Sequence, residues 1–316
     1  MKFGIDRLLQ EAALQRELQG KRIALLAHPA SVTTDLTHSL DALAALGTLR
    51  LTAAFGPQHG LRGDKQDNMM ESPTFEDPVH GIPVFSLYGE VRRPTPAMMD
   101  AFDDLDVDYT VGEMEAWRAE AAPGRGWPLG ERTWINPSPN APNLWMARAY
   151  AGTVMLEGTT LSEGRGTTRP LELFGAPDID ARAVLQEMQR LEPNWLRGCR
   201  LRPCWFEPTF HKHVGALCAG IHIHTEDPGY DHHAFRPWRL QALAIKAIRR
   251  LNPDYRLWRE FEYEYVHDRL AIDVINGSEL LREWVDDSMA TPADLDALTI
   301  PDEESWANER AACLLY

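Results

Sequence analysis

Residues 22–63 read RIALLAHPASVTTDLTHSLDALAALGTLRLTAAFGPQHGLRG. The run Arg22-Ile23-Ala24-Leu25-Leu26-Ala27, set behind the turn Gln19-Gly20-Lys21, predicts a buried strand. Helically spaced apolar residues follow over 34–46, then a second strand over 49–55. Outward from this stretch, residues 83–87 predict a third strand, 96–105 a helix and 108–114 another strand. Strands that alternate with helices build a mainly parallel sheet covered on both faces. Such sheets bind ligands beyond the carboxyl ends of their strands. Two loops leave strands there: His28-Pro29-Ala30-Ser31-Val32-Thr33 and Gly56-Pro57-Gln58-His59-Gly60-Leu61-Arg62-Gly63-Asp64.

Residues 121–142 are rich in proline, glycine and asparagine and predict a long connection. Beyond them the pattern turns α+β, with helices over 179–191 and 238–252 and strands over 201–206 and 219–224. We therefore expect domains of 1–142 and 143–316, which the length of 316 residues accommodates. Apolar residues at 44% and charged residues at 25% give the balance of a soluble globular protein. No apolar run approaches the ~18 residues of a membrane span. The opening MKFGIDRLLQEAALQREL is an amphipathic helix pattern broken by Asp6, Gln10 and Glu11, unlike a secretory leader. Cys199, Cys204, Cys218 and Cys313 show neither metal-ligand spacing nor the density of a disulfide scaffold, which predicts reduced thiols in a cytoplasmic protein. A net charge of −15 argues against a nucleic-acid partner. It also requires that any anionic ligand be met by a local cluster of arginines.

The loop after the second strand combines flexible glycines with the charges of His59, Arg62 and Asp64, as a ligand site or a solvated Arg–Asp turn would. The stretch 156–170, LEGTTLSEGRGTTRP, is denser: Glu157, Glu163, Arg165, Arg169, five hydroxyls and three glycines. Hydroxyls and arginines suit a hydroxylated, anionic ligand; an Arg–Glu network pinning the loop is the competing reading. Neither a phosphate-binding glycine loop nor a G-x-S-x-G nucleophile elbow is present. Histidines gather at His211, His213, His222, His224, His232 and His233. His222 and His224 alternate along a strand and share a face, so a metal is conceivable there. Thr209-Phe210-His211-Lys212-His213 matches no zincin motif, and we expect no metal and no cofactor.

The strings FGPQHGLRGD (55–64), PVFSLYG (83–89), WINPSPNAP (134–142), LEGTTLSEGRGTTRPLELFGAP (156–177) and FEPTFHKHVGALCAGIHIH (206–224) occur in this order. Together they resemble the exo-β-N-acetylmuramidase family, glycoside hydrolases formerly grouped as the domain of unknown function DUF1343, over about residues 18–261. The resemblance implies a Rossmann-like parallel-sheet domain followed by a smaller α+β domain, with the sugar in the cleft between them. It implies hydrolysis of the bond after a non-reducing terminal N-acetylmuramic acid of peptidoglycan fragments, as in cell-wall recycling.

Two departures from the family pattern bear on this. Gln58 stands where the family typically has the glutamate that is its best candidate for the catalytic acid, and an amide exchanges no proton at a useful pH. Asp106-Val107 runs straight into Asp108-Tyr109, where the family inserts further strands and helices with a D-R-P-N-P motif. A unit of several tens of residues is thus missing, and the first sheet is expected to keep about four parallel strands.

With Gln58 excluded, the candidate acids are Glu163, Glu157, Asp64 and Glu71, Glu163 first, with a pKa raised by burial. A 2-acetamido sugar can supply its own carbonyl as nucleophile, leaving one acid to find. Candidate substrate contacts are His59, Arg62, Asn136, Asn140, Ser162, Arg165, Thr168, Arg169 and His211, with Arg165 or Arg169 pairing with the lactyl carboxylate. The alternative is a catalytically impaired carbohydrate-binding remnant of the family. The expected partner is a muramic-acid-containing saccharide, with no nucleic acid and no membrane; oligomeric state is not legible.

Overall fold

The structure, a computed structural model, describes residues 2–65, 73–87, 111–118, 130, 133–264 and 266–315. The helix expected over 96–105 and the Glu71 side chain lie outside the described residues. Two compact units divide the chain, 1–119 with 128–142 and 120–127 with 143–316. The fold is α/β: a parallel-sheet unit followed by an α+β unit.

In the first unit the N-terminal amphipathic stretch forms α1 (Gly4–Gln10) and α2 (Ala12–Leu18). They part at Glu11, whose extended backbone ends one helix and starts the other and whose carboxylate takes both Nε and Nη2 of Arg7 at 2.7 and 3.0 Å. β1 (Arg22–Leu26) follows, then α3 (Ser39–Ala45), β2 (Arg50–Gly56), β3 (Phe75–Glu76) and β4 (Pro83–Ser86). The sheet runs β1-β2-β4-β3, with β1–β2 and β2–β4 parallel and the two-residue β3 antiparallel to β4. Among the described residues it therefore has three parallel strands and one short antiparallel edge, where about four parallel strands are expected from the sequence. β1 is the other edge and is not the buried strand expected, since Leu26 is 64% exposed. α3 is shorter than the 34–46 pattern because Leu36 adopts a φ of 63° and His38 caps the helix, its Nδ1 accepting from Leu40 N at 3.2 Å. Residues 111–114 are not a strand. Glu115 exchanges backbone hydrogen bonds with Lys2 at 3.1 and 3.0 Å, and Gly4 lies against Gly112, where an added Cβ would meet the Gly112 oxygen at 2.3 Å. Ala27, Leu40, Ala54, Leu61 and Val84 form the small core beneath the strand ends.

The second unit starts with α4 (Leu144–Thr153), capped by Asn143 Oδ1, which accepts from Met146 N at 2.8 Å. A 3-10 turn over Val154–Gly158 leads through the polar loop to β5 (Leu173–Ala176). There follow α5 (Ala181–Leu191), β6 (Arg200–Phe206), β7 (Cys218–His224), α6 (Pro237–Leu251), α7 (Ala271–Asn276), α8 (Leu280–Asp286) and α9 (Pro292–Ala311). The antiparallel sheet is ordered β5-β7-β6. Its pleat sorts side chains by face. Phe174, Ala176, Ile221 and Ile223 join the core built on α6, while Leu173, Cys204, Phe206 and Cys218 gather in a separate cluster. α6 carries Leu240 through Ile248 fully buried or nearly so, which makes this unit, expected to be the smaller, the one with the larger core.

Candidate functional site

Three groups of polar side chains occupy loops and strand ends. The first lies after β2. His59, at a φ of 70°, sets Nδ1 2.8 Å from the Lys65 carbonyl and Nε2 3.1 Å from Ser138 Oγ. A carbonyl only accepts, so Nδ1 donates and Nε2 receives the Ser138 hydroxyl. The same Ser138 oxygen accepts from Asn140 N at 3.3 Å, and Asn140 is buried. Ser138 was not among the expected contacts, although the Asn136-Pro137-Ser138-Pro139-Asn140 string holds it. Asn136 is exposed. Arg62 is already committed: its guanidinium makes a two-pronged pair with Asp41 at 3.0 and 2.8 Å, and Asp77 lies at 3.6 Å. Those bonds, joined by His80 at 2.8 Å, outweigh burial and hold Asp41 well below the usual carboxylate range. Arg62 thus ties the loop to α3. Asp64 is exposed and pairs with its neighbour Lys65.

The second group is the loop before β5, where a network of ion pairs engages Glu157, Glu163 and Arg165. Arg165 is 9% exposed and donates from Nη2 to Glu157 Oε1 at 2.5 Å and from Nε to Glu163 Oε1 at 3.1 Å. Tyr263 donates to the other Glu157 oxygen at 3.0 Å. Lys212 Nζ reaches Glu163 Oε2 at 2.8 Å and the carbonyls of Leu156 and Leu161 at 2.7 and 3.0 Å, and His211 Nδ1 stands 3.2 Å from Glu163 Oε1. Burial alone would raise the Glu163 carboxyl, but Lys212 and His211 hold it far below the usual range. This reverses the raised pKa expected for Glu163: a carboxylate between cations stays ionised and has no proton to give. Arg165 is likewise no longer free for a lactyl carboxylate. Ser162 is buried and accepts from Gly164 N at 3.1 Å, a bond internal to the loop. Gly166, at a φ of 82°, leaves no room for a Cβ, which would meet Phe210 and Thr209 backbone at 2.7–2.8 Å; the loop carrying His211 rests directly on it. Thr168 is exposed and His211 is 30% exposed at its side chain.

The third group surrounds Glu172, which accepts from Asn143 Nδ2 at 3.0 Å and from Arg169 Nη1 at 2.9 Å. Arg169 keeps 38% of its side chain exposed, unlike Arg165. Beside it stand His222, His224 and Glu226, which offer one possible metal-ligand atom each, all within 4.8 Å of one another. The structure brings His211, from the separate histidine-rich segment, to Glu163 in the network with Glu157 and Arg165. Lys212 and Tyr263 carried no signal beyond their type, because each reaches its partner from a distant segment.

Residues 23–108 match the family described as exo-beta-N-acetylmuramidase NamZ, N-terminal, and residues 148–316 match its C-terminal counterpart. The chain is similar to the peptidoglycan beta-N-acetylmuramidase NamZ of Bacillus subtilis (strain 168), 31% identical over 332 residues that take in 79% of this chain and 78% of that one. Those 332 aligned positions outnumber the 316 residues here, so the relative carries positions with no counterpart in this chain. Two solved DUF1343 family proteins of Bacteroides fragilis NCTC 9343 share the fold. One has a TM-score of 0.76 at 20% identity, covering 100% of this chain and 98% of that one. The other has 0.58 at 19%, covering 99% and 98%.

Proposed function

Since the chain belongs to the exo-β-N-acetylmuramidase NamZ family, we propose that it is a glycoside hydrolase that releases non-reducing terminal N-acetylmuramic acid from peptidoglycan fragments. The observation that carries this reading is the pair of family matches, one in each unit and in the family's order. The chemistry needs an acid for the leaving oxygen, while the sugar's acetamido carbonyl can attack its own anomeric carbon. Glu157 and Glu163 are spent on Arg165, Lys212 and Tyr263, and Gln58 carries an amide. Asp64 is exposed and paired with its neighbour Lys65. Turnover is therefore slow. Arg169, still exposed, is the arginine we assign to the lactyl carboxylate.

A second reading, binding without cleavage, is favoured by the same ion pairs. Incubating the protein with the β-linked disaccharide of N-acetylmuramic acid and N-acetylglucosamine and quantifying free N-acetylmuramic acid decides between them. Slow release supports the hydrolase; calorimetric binding with no release supports the second; neither binding nor release sinks both. We place the protein in the cytoplasm, a reading supported by four free thiols. Among the described residues no helix is long and apolar enough to cross a membrane.

A further inference from the structure

The consecutive residues His211-Lys212-His213 point their side chains to different ends. Lys212 turns inward, onto Glu163 and the carbonyls of Leu156 and Leu161. His213 Nε2 lies 2.8 Å from the Thr160 carbonyl, and because a carbonyl only accepts, that nitrogen donates. Both histidines sit at left-handed φ, 69° for His211 and 57° for His213, a conformation that non-glycine residues keep only where their surroundings hold them in it. His211 is thereby left with one nitrogen on the network and one off it. Its Nδ1 stands 3.2 Å from Glu163 Oε1. An ionised carboxylate only accepts, so Nδ1 carries a hydrogen toward it. Nε2 has no hydrogen-bond partner among the described residues, and the side chain is 30% exposed.

Glu163 has no proton to give, but a carboxylate that fixes one imidazole nitrogen leaves the other to exchange a proton. The neighbouring side chains are open to a ligand: Phe210 is 46% exposed, Thr168 is exposed, and Arg169 keeps 38% of its side chain in solvent. The two loops are fixed to each other at Gly166, whose carbonyl accepts from Thr209 N and Oγ1 at 2.9 and 2.8 Å. A Cβ on Gly164, the residue after Glu163, would meet the Arg169 oxygen at 3.0 Å. The arginine assigned to the lactyl carboxylate and the Glu163–His211 pair therefore share one short stretch of backbone. We propose that His211 is the proton donor behind the slow turnover, with Glu163 the positioning residue that holds it. The proposal rests on the hydrolase reading above. From the imidazolium, Nε2 passes its proton to the glycosidic oxygen as the C1–O bond breaks and the acetamido oxygen bonds to C1. This leaves a neutral imidazole and a positively charged oxazolinium ring. Water then bonds to C1, the acetamido oxygen departs with its electron pair, and His211 Nε2 takes the proton that the water gives up. Glu163 and, behind it, Glu157 favour the imidazolium, while Arg165, Lys212 and Arg259 oppose it. His213, bonded to Thr160, and Tyr263, bonded to Glu157, are the other titratable groups of the network.

His211→Gly suits the test, because glycine adopts a φ of 69° without strain, and a melting curve checks that it folds. Free N-acetylmuramic acid released from its β-linked disaccharide with N-acetylglucosamine is measured across neutral pH for the natural chain, His211→Gly and Gln58→Glu. The natural rate is expected to fall as pH rises, because the imidazolium is the donor. His211→Gly should be roughly 10²-fold slower and should lose that pH dependence. Added imidazole should restore part of its rate, which neither a lost fold nor a lost sugar contact would allow. An unchanged rate in His211→Gly, or a loss that imidazole does not relieve, would overturn the proposal. Release by Gln58→Glu with none from the natural chain would overturn it too, while sparing the hydrolase reading. No release by either would defeat that reading, and the proposal with it.

Discussion

His38 shows how one side chain's titration is written into the first unit. Its Nδ1 caps α3, and its Nε2 sits 3.2 Å from the His28 carbonyl, so both nitrogens are used only in the neutral ring. Burial, reinforced by the Arg62 charge, lowers its pKa below the ordinary 6.5. The unfolded chain then takes up the proton first as pH falls, so the contribution is complete above about 6.5 and is lost below it. Melting temperatures measured from pH 7.5 to 5 should fall, and His38→Asn, which keeps a capping oxygen, should flatten that fall; an unchanged slope would refute it. Glu163 titrates in the opposite chemical sense. Its lowered pKa stabilises the fold at all pH above the ordinary carboxylate value, and that stability is lost only as pH drops through the folded value. Glu163→Gln leaves Lys212 buried with no countercharge, and urea unfolding should show a loss of about 3–5 kcal/mol. A loss below about 1 kcal/mol would mean that the network is not structural. The sequence made this loop conspicuous but not its wiring. Lys212 is 49 positions from Glu163 and Tyr263 is 106 from Glu157, and nothing in residues 156–170 says that a lysine and a tyrosine from elsewhere will engage the two carboxylates.

Elements were legible where period and burial agreed. β6 and β7 extend the expected 201–206 and 219–224 by one residue each, because apolar alternation there reflects a real two-faced sheet. The 108–114 segment is as apolar as a strand over part of its length, yet Glu115 spends its backbone on Lys2, which a reading of local pattern does not see. α8 depends on a contact of the same distant kind. Lys246 of α6, 1% exposed, donates to the carbonyls of Trp284, Val285 and Asp287 at 2.5, 3.3 and 2.5 Å, satisfying groups that a helix end leaves open. Lys246→Met keeps the volume and removes the donor. It should cost about 1–3 kcal/mol in chemical denaturation, with protection from hydrogen exchange lost first around α8. Uniform loss of protection would show that the lysine serves the whole core instead.

At the scale of the molecule, a net charge of −15 repels an anionic sugar, so recognition of the lactyl carboxylate must be local. Arg169 is the exposed arginine of the polar loop, and Arg169→Ala should weaken binding of N-acetylmuramic acid about 10-fold or more while sparing N-acetylglucosamine. Equal losses for the two sugars would remove Arg169 from that role. The family match in the first unit ends at residue 108, and its sheet has three parallel strands among the described residues. Family and fold were readable because whole strings recur in order. The acid was not, because position 58 carries an amide and Asp64, Glu157 and Glu163 are each ion-paired, while Glu71 lies outside the described residues. In the function proposed above, the amide at position 58 limits turnover on muramic-acid glycosides. The most direct measurement is the rate of aglycone release from a chromogenic β-N-acetylmuramide by the natural chain and by Gln58→Glu. Release should be slow with the former and roughly 10²–10⁴-fold faster with the latter. Rapid release by the natural chain, or no gain from the restored carboxylic acid, would contradict it.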